Sequence, residues 1–272
     1  PKDEKGVIEF KIKKKDEDAI YSYRMDHQKP LNTGVYHTKA DFYLERLDVE
    51  GTKPFAIYLD GFKYHAGPVS GDQLASDFVK RQALVNGEGG VTKHHVWNLT
   101  WKDVESFETD PQKTTAKYIN FDEVDRADFL GLNSVSQLLR ALTGEVPERK
   151  FQEKIKEIFQ TKKVAAFQCD KAIFSSLEII EADRSISTEI DKALEKAKGS
   201  GVQIMKGSDA DMGHLFIAKQ GSKKPVLGFY FGSPLSGRDG AEFYERWERM
   251  LCTFNIQQLI ADEMYVRVWA EG

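Results

Sequence analysis

The chain has 272 residues, 40% of them hydrophobic and 30% charged, with a net charge of −4. This length and apolar content suffice for one large or two ordinary globular domains, and the mixed charges exclude a globally basic protein, so any nucleic-acid surface has to be local. We expect a cytoplasmic protein without membrane contact, because no apolar stretch approaches the roughly 20 residues of a membrane span and Cys169 and Cys252 lack metal spacing. Because the chain begins at Pro1 rather than methionine, we also expect a piece of a longer protein.

Strand and helix patterns alternate in the first half of the chain. Apolar and charged residues alternate from Gly6 to Lys15, which predicts a half-buried strand. Two further strands are predicted around Asp41 and Asp60, joined by a charged turn and therefore antiparallel. A helix is predicted over residues 72–85 and a strand over residues 95–100, directly followed by a capped helix. From Asp41 onward, the predicted order is strand, strand, helix, strand, helix.

The second half has an α/β pattern of its own. We predict helices over residues 135–142, 148–159 and 187–198, and strands over residues 163–168, 214–219 and 225–231, the last two forming a hairpin. We therefore divide the chain into a first domain, residues 1–140, and an accessory α/β region with a C-terminal helix, residues 141–272. The alternative that both halves share one sheet stays open.

The last predicted helix has an apolar stripe at helical spacing. Its members are Phe243, Trp247, Met250, Leu251 and Phe254. This spacing is typical of a helix that faces a hydrophobic core rather than a ligand.

Two aspartates and a histidine form the candidate site. Asp41 lies on one predicted strand, Asp60 ends the next strand, and His65 follows five residues later. A divalent cation binds oxygen ligands from separate rigid elements, and hydrolysis uses an imidazole to move a proton. The pattern predicts a metal-dependent phosphodiesterase with Asp41 and Asp60 as Mg²⁺ or Mn²⁺ ligands. The alternatives are an ordinary Asp-Gly turn at Asp60 and a surface histidine at position 65.

Residues 34–107 resemble the very-short-patch-repair branch of the restriction-endonuclease-like, or PD-(D/E)XK, nucleases. The resemblance is carried by Asp41-Phe42, by the strand that ends in Asp60-Gly61, by His65, by the helix over residues 77–81 and by the strand over residues 97–100. It implies a mixed sheet flanked by helices, with Asp41 as a magnesium ligand and His65 in proton transfer.

The resemblance implies a magnesium-dependent deoxyribonuclease. Lys63 or Lys80 would then stabilise negative charge on the phosphate, and the helix that carries Lys80 and Arg81 would turn toward the DNA backbone. The apolar stripe of that helix places Lys80 and Arg81 on its outer side, where a solvated face is the alternative.

Two positions depart from the nuclease pattern. Phe62 stands where the fold often has a lysine, with Lys63 one place late, and Tyr58 stands where related sequences can have a glutamate. These departures favour a second hypothesis, a catalytically degenerate nuclease fold that binds DNA or a partner protein. Phe62 also argues against a haloacid-dehalogenase phosphatase, which needs an aspartate two residues after its nucleophile.

The tail around Trp247, Asn255, Gln258 and Leu259 is similar to the C-terminal region of very large bacterial DEAD/DEAH-box helicases linked to anti-phage defence. The resemblance implies that the chain is a module beside the helicase portion of the same polypeptide or complex. No phosphate-binding loop ends in Gly-Lys-Ser or Gly-Lys-Thr in this chain, so we expect any motor to lie upstream.

Overall fold

The computed structural model describes residues 7–14, 17–67, 73–109, 133–145, 214–218, 226–231, 241–260 and 266–270. Its larger sheet has five strands in sequence order, β1 (Val7–Lys13), β2 (Ile20–Asn32), β3 (His37–Arg46), β4 (Phe55–Asp60) and β5 (His95–Thr100). Strands β1 to β4 pair antiparallel, and β5 pairs parallel with β4. The described helices are α1 (Phe62–His65), α2 (Gln73–Asn86), α3 (Trp101–Thr109), α4 (Ser134–Leu142) and α5 (Ala241–Ile260).

A second sheet has strands β6 (His214–Ala218), β7 (Val226–Phe231) and β8 (Val266–Ala270). β6 and β7 pair antiparallel, which confirms the predicted hairpin, and β8 pairs parallel with β7 and lies against α2. The mixed α/β class is therefore confirmed. The predicted helices over residues 148–159 and 187–198 and the strand over residues 163–168 lie outside the described residues.

The elements that position the site agree with the sequence patterns. The strand over residues 95–100 and the helices over residues 72–85 and 135–142 are confirmed within two residues. The predicted cap at Thr100 is also present, because its hydroxyl accepts from the backbone N–H of Asp103, while the Asp103 carboxylate accepts from the backbone N–H of Thr100. Helix α1 and strands β2 and β8 were not predicted as elements. Proline at position 30 and polar residues disguise the full length of β2.

One face of the larger sheet packs against α4. Its buried residues are Tyr23, Leu44, Phe55, Ile57, Trp97 and Leu99 from the sheet and Leu138, Ala141 and Leu142 from α4. Two buried hydrogen bonds fasten the helix, from the Trp97 indole N–H to the Ser134 carbonyl and from the Tyr23 hydroxyl to the Leu142 carbonyl. These side chains form a hydrophobic core between the sheet and α4.

The other face of the sheet is covered by α2, which crosses from β4 to β5. Tyr58 and Asn98 point to this face because side chains alternate along a strand, and the Arg81 guanidinium lies 4.5 Å from the centre of the Tyr58 ring. Polar groups of α2 therefore lie above the ends of the two parallel strands.

Helix α5 packs beside α2 and β5. Trp247, Met250, Leu251 and Phe254 are buried, as their helical spacing predicted, whereas the side chain of Phe243 lies outside the described part. Helix α5 follows the predicted boundary at residues 140 and 141 yet contacts the sheet of the first half. The division itself stays a prediction. No helix in the described ranges combines the length and the apolar character needed to cross a bilayer.

Candidate functional site

An ion pair between Asp60 and Arg81 lies at the carboxyl end of β4. Both side chains are buried, and Arg81 is 3% exposed. Nη1 and Nη2 of Arg81 donate to the two carboxylate oxygens of Asp60 at 2.7 and 2.6 Å, and Nη1 also donates to Oδ1 of Asn98 at 2.7 Å. Because the pairing is bidentate, it fixes the carboxylate as well as neutralising it.

His65 lies beside this ion pair at the end of α1. Its Nδ1 is 2.7 Å from Oδ2 of Asp77 on α2 and 3.7 Å from Oδ1 of Asp60. The hydrogen bond to Asp77 raises the pKa of His65 above 6.5, and the charge of Asp60 adds to this shift against the effect of burial. Burial alone would raise the pKa of Asp77, but the bond to His65 and the charge of Arg81 lower it. The histidine is therefore oriented by a carboxylate.

Asp41 lies where the β3–β4 ladder ends and where Gln28 interrupts the pairing of β2 with β3. The β3–β4 ladder extends only to the pair of Phe42 and Ile57, and beyond it Oδ2 of Asp41 accepts from the backbone N–H of Leu59 at 2.8 Å. The other oxygen, Oδ1, accepts from the side-chain amide of Gln28, a residue with φ of +54°. Asp41 therefore replaces a missing backbone acceptor.

The predicted convergence of Asp41, Asp60 and His65 around a cation is met only in part. Asp41 and Asp60 lie on the same face of the sheet, and Asp60 approaches His65. The oxygens of both carboxylates already accept from protein donors, and Arg81 supplies the positive charge next to Asp60. Among the described residues, no three His, Cys, Asp or Glu side chains are grouped to hold a metal ion. This arrangement does not fit a divalent cation, and the two ligand assignments stay predictions.

The predicted cationic residues have different environments. Arg81 points inward, so its predicted place on the outer side of the helix is wrong, because it lies on the same face as Phe78 three residues earlier. Lys80 is partly buried, with Nζ 3.7 Å from Asp77. Lys63 is exposed on α1, and its ammonium group lies 6.0 Å from the ring centre of Tyr64.

A second polar cluster lies at the carboxyl end of β5. Glu248 of α5 is buried, and its carboxylate accepts from Lys102 at 3.1 Å and from the Thr100 hydroxyl at 3.4 Å. Burial raises the pKa of Glu248 to about 7, although Lys102 acts to lower it. The rings of Tyr244 and Trp247 pack on Phe62 of α1 and link this cluster to the helix that carries His65. Sequence patterns did not indicate the contacts of Glu248 with Thr100 and Lys102, because these partners are 148 and 146 residues away.

Asp77 and Asn98 are the site residues that the sequence analysis left without a role. Asp77 and Arg81 are four residues apart on one helix and therefore share a helix face. This spacing could have indicated that both face the end of the strand that carries Asp60. A comparison with family models, curated proteins and solved structures found no match to the chain.

Proposed function

We propose that the chain is a restriction-endonuclease-like hydrolase that acts on DNA phosphodiesters, with His65 and Asp77 as its proton-transfer pair. The observation that carries the proposal is the 2.7 Å contact between these side chains, beside Asp60 at the carboxyl end of β4. The strand order supports it, because an antiparallel meander followed by a helical crossover to a parallel strand agrees with the core of that fold.

The proposed chemistry uses the two nitrogens of the imidazole. Asp77 accepts from Nδ1–H, so Nε2 is left to take a proton from an attacking water. The water oxygen forms a bond to phosphorus, the bond from phosphorus to the leaving oxygen breaks, and the leaving oxygen takes a proton from solvent. Lys63 is the exposed cation on the same short helix and is suited to stabilise charge on the phosphate. The resemblance also implies Mg²⁺ or Mn²⁺ as a cofactor.

The surface around the pair offers features that suit a nucleic acid. Tyr64 is 72% exposed beside Lys63, and Trp101 is 73% exposed directly after β5. β4 and β5 are parallel neighbours, so both aromatic residues follow strand ends on one edge of the sheet. Exposed aromatic rings stack on bases, and nearby lysines bind phosphates. This local surface provides what the net charge of −4 does not.

A second candidate is a nuclease fold that binds DNA or a partner without cutting it. The observation in its favour is that internal donors already bind the oxygens of Asp41 and Asp60, and that Arg81 also neutralises the charge of Asp60. On this alternative, the buried ion pair stabilises the sheet edge, and His65 is a surface group with a structural partner.

A cleavage assay on the 272-residue chain separates the two candidates. Plasmid and single-stranded DNA are incubated with Mg²⁺, with Mn²⁺ or with a chelator, and binding is measured in parallel by fluorescence anisotropy. The hydrolase predicts cleavage that falls by roughly 100-fold or more in His65→Ala and is unchanged in His37→Ala, which removes an exposed histidine from β3. Binding without cleavage supports the scaffold. A protein that neither binds nor cleaves DNA refutes the hydrolase and the DNA-binding form of the scaffold, and leaves only a scaffold for a partner protein.

The setting proposed for this activity is a larger DNA helicase in anti-phage defence. The support is the similarity of the tail around Trp247 and Leu259 to the C-terminal region of such helicases. Co-purification of the chain with a helicase polypeptide, or a helicase domain encoded in the same reading frame, would test this setting independently of cleavage.

A further inference from the structure

Two side-chain amides of α5 take the place of a strand neighbour along the outer edge of β5. Oδ1 of Asn255 accepts from the backbone N–H of Asn98 at 2.7 Å, and Nδ2 of Asn255 donates to the Asn98 carbonyl at 2.8 Å. Gln258 makes the same pair of bonds to the N–H and carbonyl of Val96. Asn255 and Gln258 are three residues apart and share a helix face, so they satisfy an edge that would otherwise be unpaired.

Only one of the two amides also contacts a side chain of β5. Oδ1 of Asn255 accepts a further hydrogen bond from Nδ2 of Asn98 at 2.8 Å. Because the donor end of the Asn98 amide is held by Asn255, the acceptor end faces the opposite way, where it accepts from Arg81 at 2.7 Å. If the Asn98 amide were rotated by half a turn, its NH₂ group would face the guanidinium, and two donors would oppose each other.

We propose that Asn255 is a positioning residue for the site: through Asn98 it fixes Arg81, and through Arg81 it fixes the Asp60 carboxylate beside His65. Nη1 of Arg81 divides its contacts between Asn98 and Asp60, so loss of the Asn98 acceptor removes one restraint and leaves the guanidinium with its two bonds to Asp60. Gln258 has no such role, because the residue it binds, Val96, has an apolar side chain. The two amides thus have matched roles in the fold and different roles at the site.

Hydrogen exchange of the Arg81 guanidinium, measured by NMR on the full chain, tests the proposal without any cleavage. In Asn255→Ala we expect the Arg81 Nη hydrogens to exchange with solvent roughly tenfold faster, or more, than in Gln258→Ala. The control variant loses the same type of edge bonds and registers their effect on stability alone. Equal exchange rates in the two variants would overturn the proposal.

A second variant separates orientation from stability. The carboxylate of Asn255→Asp can accept from both Asn98 donors but cannot donate to the Asn98 carbonyl, so it keeps the Asn98 orientation while weakening the fold. We expect Arg81 exchange within about twofold of the wild type, since its acceptor is retained. Arg81 exchange in Asn255→Asp that is as fast as in Asn255→Ala would contradict the mechanism. If Asn255→Ala does not fold, exchange in Asn255→Asp that is faster than in Gln258→Ala would contradict it.

The consequence for catalysis rests on the proposed function. If the chain cleaves DNA, the rate constant kcat should fall by roughly tenfold in Asn255→Ala with little change in KM, while Gln258→Ala keeps its rate. Failure of cleavage in the wild type would remove this consequence and leave the exchange result standing, so the two proposals fail separately.

Discussion

Replacement of Arg81 by methionine removes the guanidinium and leaves the carboxylate of Asp60 buried without its partner. Asp60 is 2% exposed, and both of its oxygens depend on Arg81. Removal of one member of a buried ion pair costs about 3–5 kcal/mol, whereas replacement of both members is often nearly neutral. We therefore expect Arg81→Met to lower the free energy of unfolding by about 3–5 kcal/mol, and the double variant Arg81→Met, Asp60→Leu to recover part of it.

Urea denaturation at pH 7 measures this loss, with Lys80→Met as the matched control. Lys80 is the neighbouring cation on the same helix, and it pairs with Asp77 at 3.7 Å, so its replacement should cost at most about 1 kcal/mol. Equal losses in the two methionine variants would refute the assignment of Arg81 as a buried structural cation.

Three further outcomes follow from the geometry. In Asp77→Asn the pKa of His65, measured by NMR titration, should fall, because the bond to Asp77 is the main cause of its elevation; an unchanged pKa would contradict the pairing. Because the pKa of His65 is raised, its protonation should stabilise the fold fully below pH 6.5, and this stabilisation should be lost as the pH rises through the raised pKa. Urea denaturation at several pH values should show a weaker pH dependence in Asp77→Asn. Gly89→Ala should lower the free energy of unfolding by roughly 2–5 kcal/mol, because a Cβ there would lie 1.7 Å from the Thr33 carbonyl oxygen. Gly90 has a similar positive φ but open space around it, so Gly90→Ala should cost about 1–2 kcal/mol. Equal melting temperatures of the two variants would contradict this.

Local patterns were sufficient to predict much of the framework. The alternation in β1, the apolar run of β5 and the stripes of α2 and α5 report which face of each element is buried, and burial of that face is what stabilises the element. The helix cap at Thr100 could also be predicted, because both of its hydrogen bonds join residues that are three apart in sequence. The proximity of Asp60 and His65 followed from the short turn between them.

The roles of individual polar residues were less accessible. Arg81 was expected on the outer side of α2 because it lies opposite the predicted apolar stripe, and its inward position depends on Asp60, which is 21 residues away in sequence. The cation site at Asp41 stays a prediction, and the sequence did not indicate that its carboxylate accepts from Gln28 and Leu59. The sequence position of a carboxylate does not indicate which donor will bind it in the folded protein.

The sequence by itself determined the α/β class, the strands that meet at the candidate site and the helices that cover them, because periodicity is a local consequence of burial. The tertiary structure decided the partners: Arg81 rather than an open pocket beside Asp60, Asp77 beside His65, and Asn255 against Asn98 from 157 positions away. Hydrogen bonds and ion pairs form only when the distance between two atoms is right to within a few tenths of an ångström. Such distances are set only when distant segments pack together.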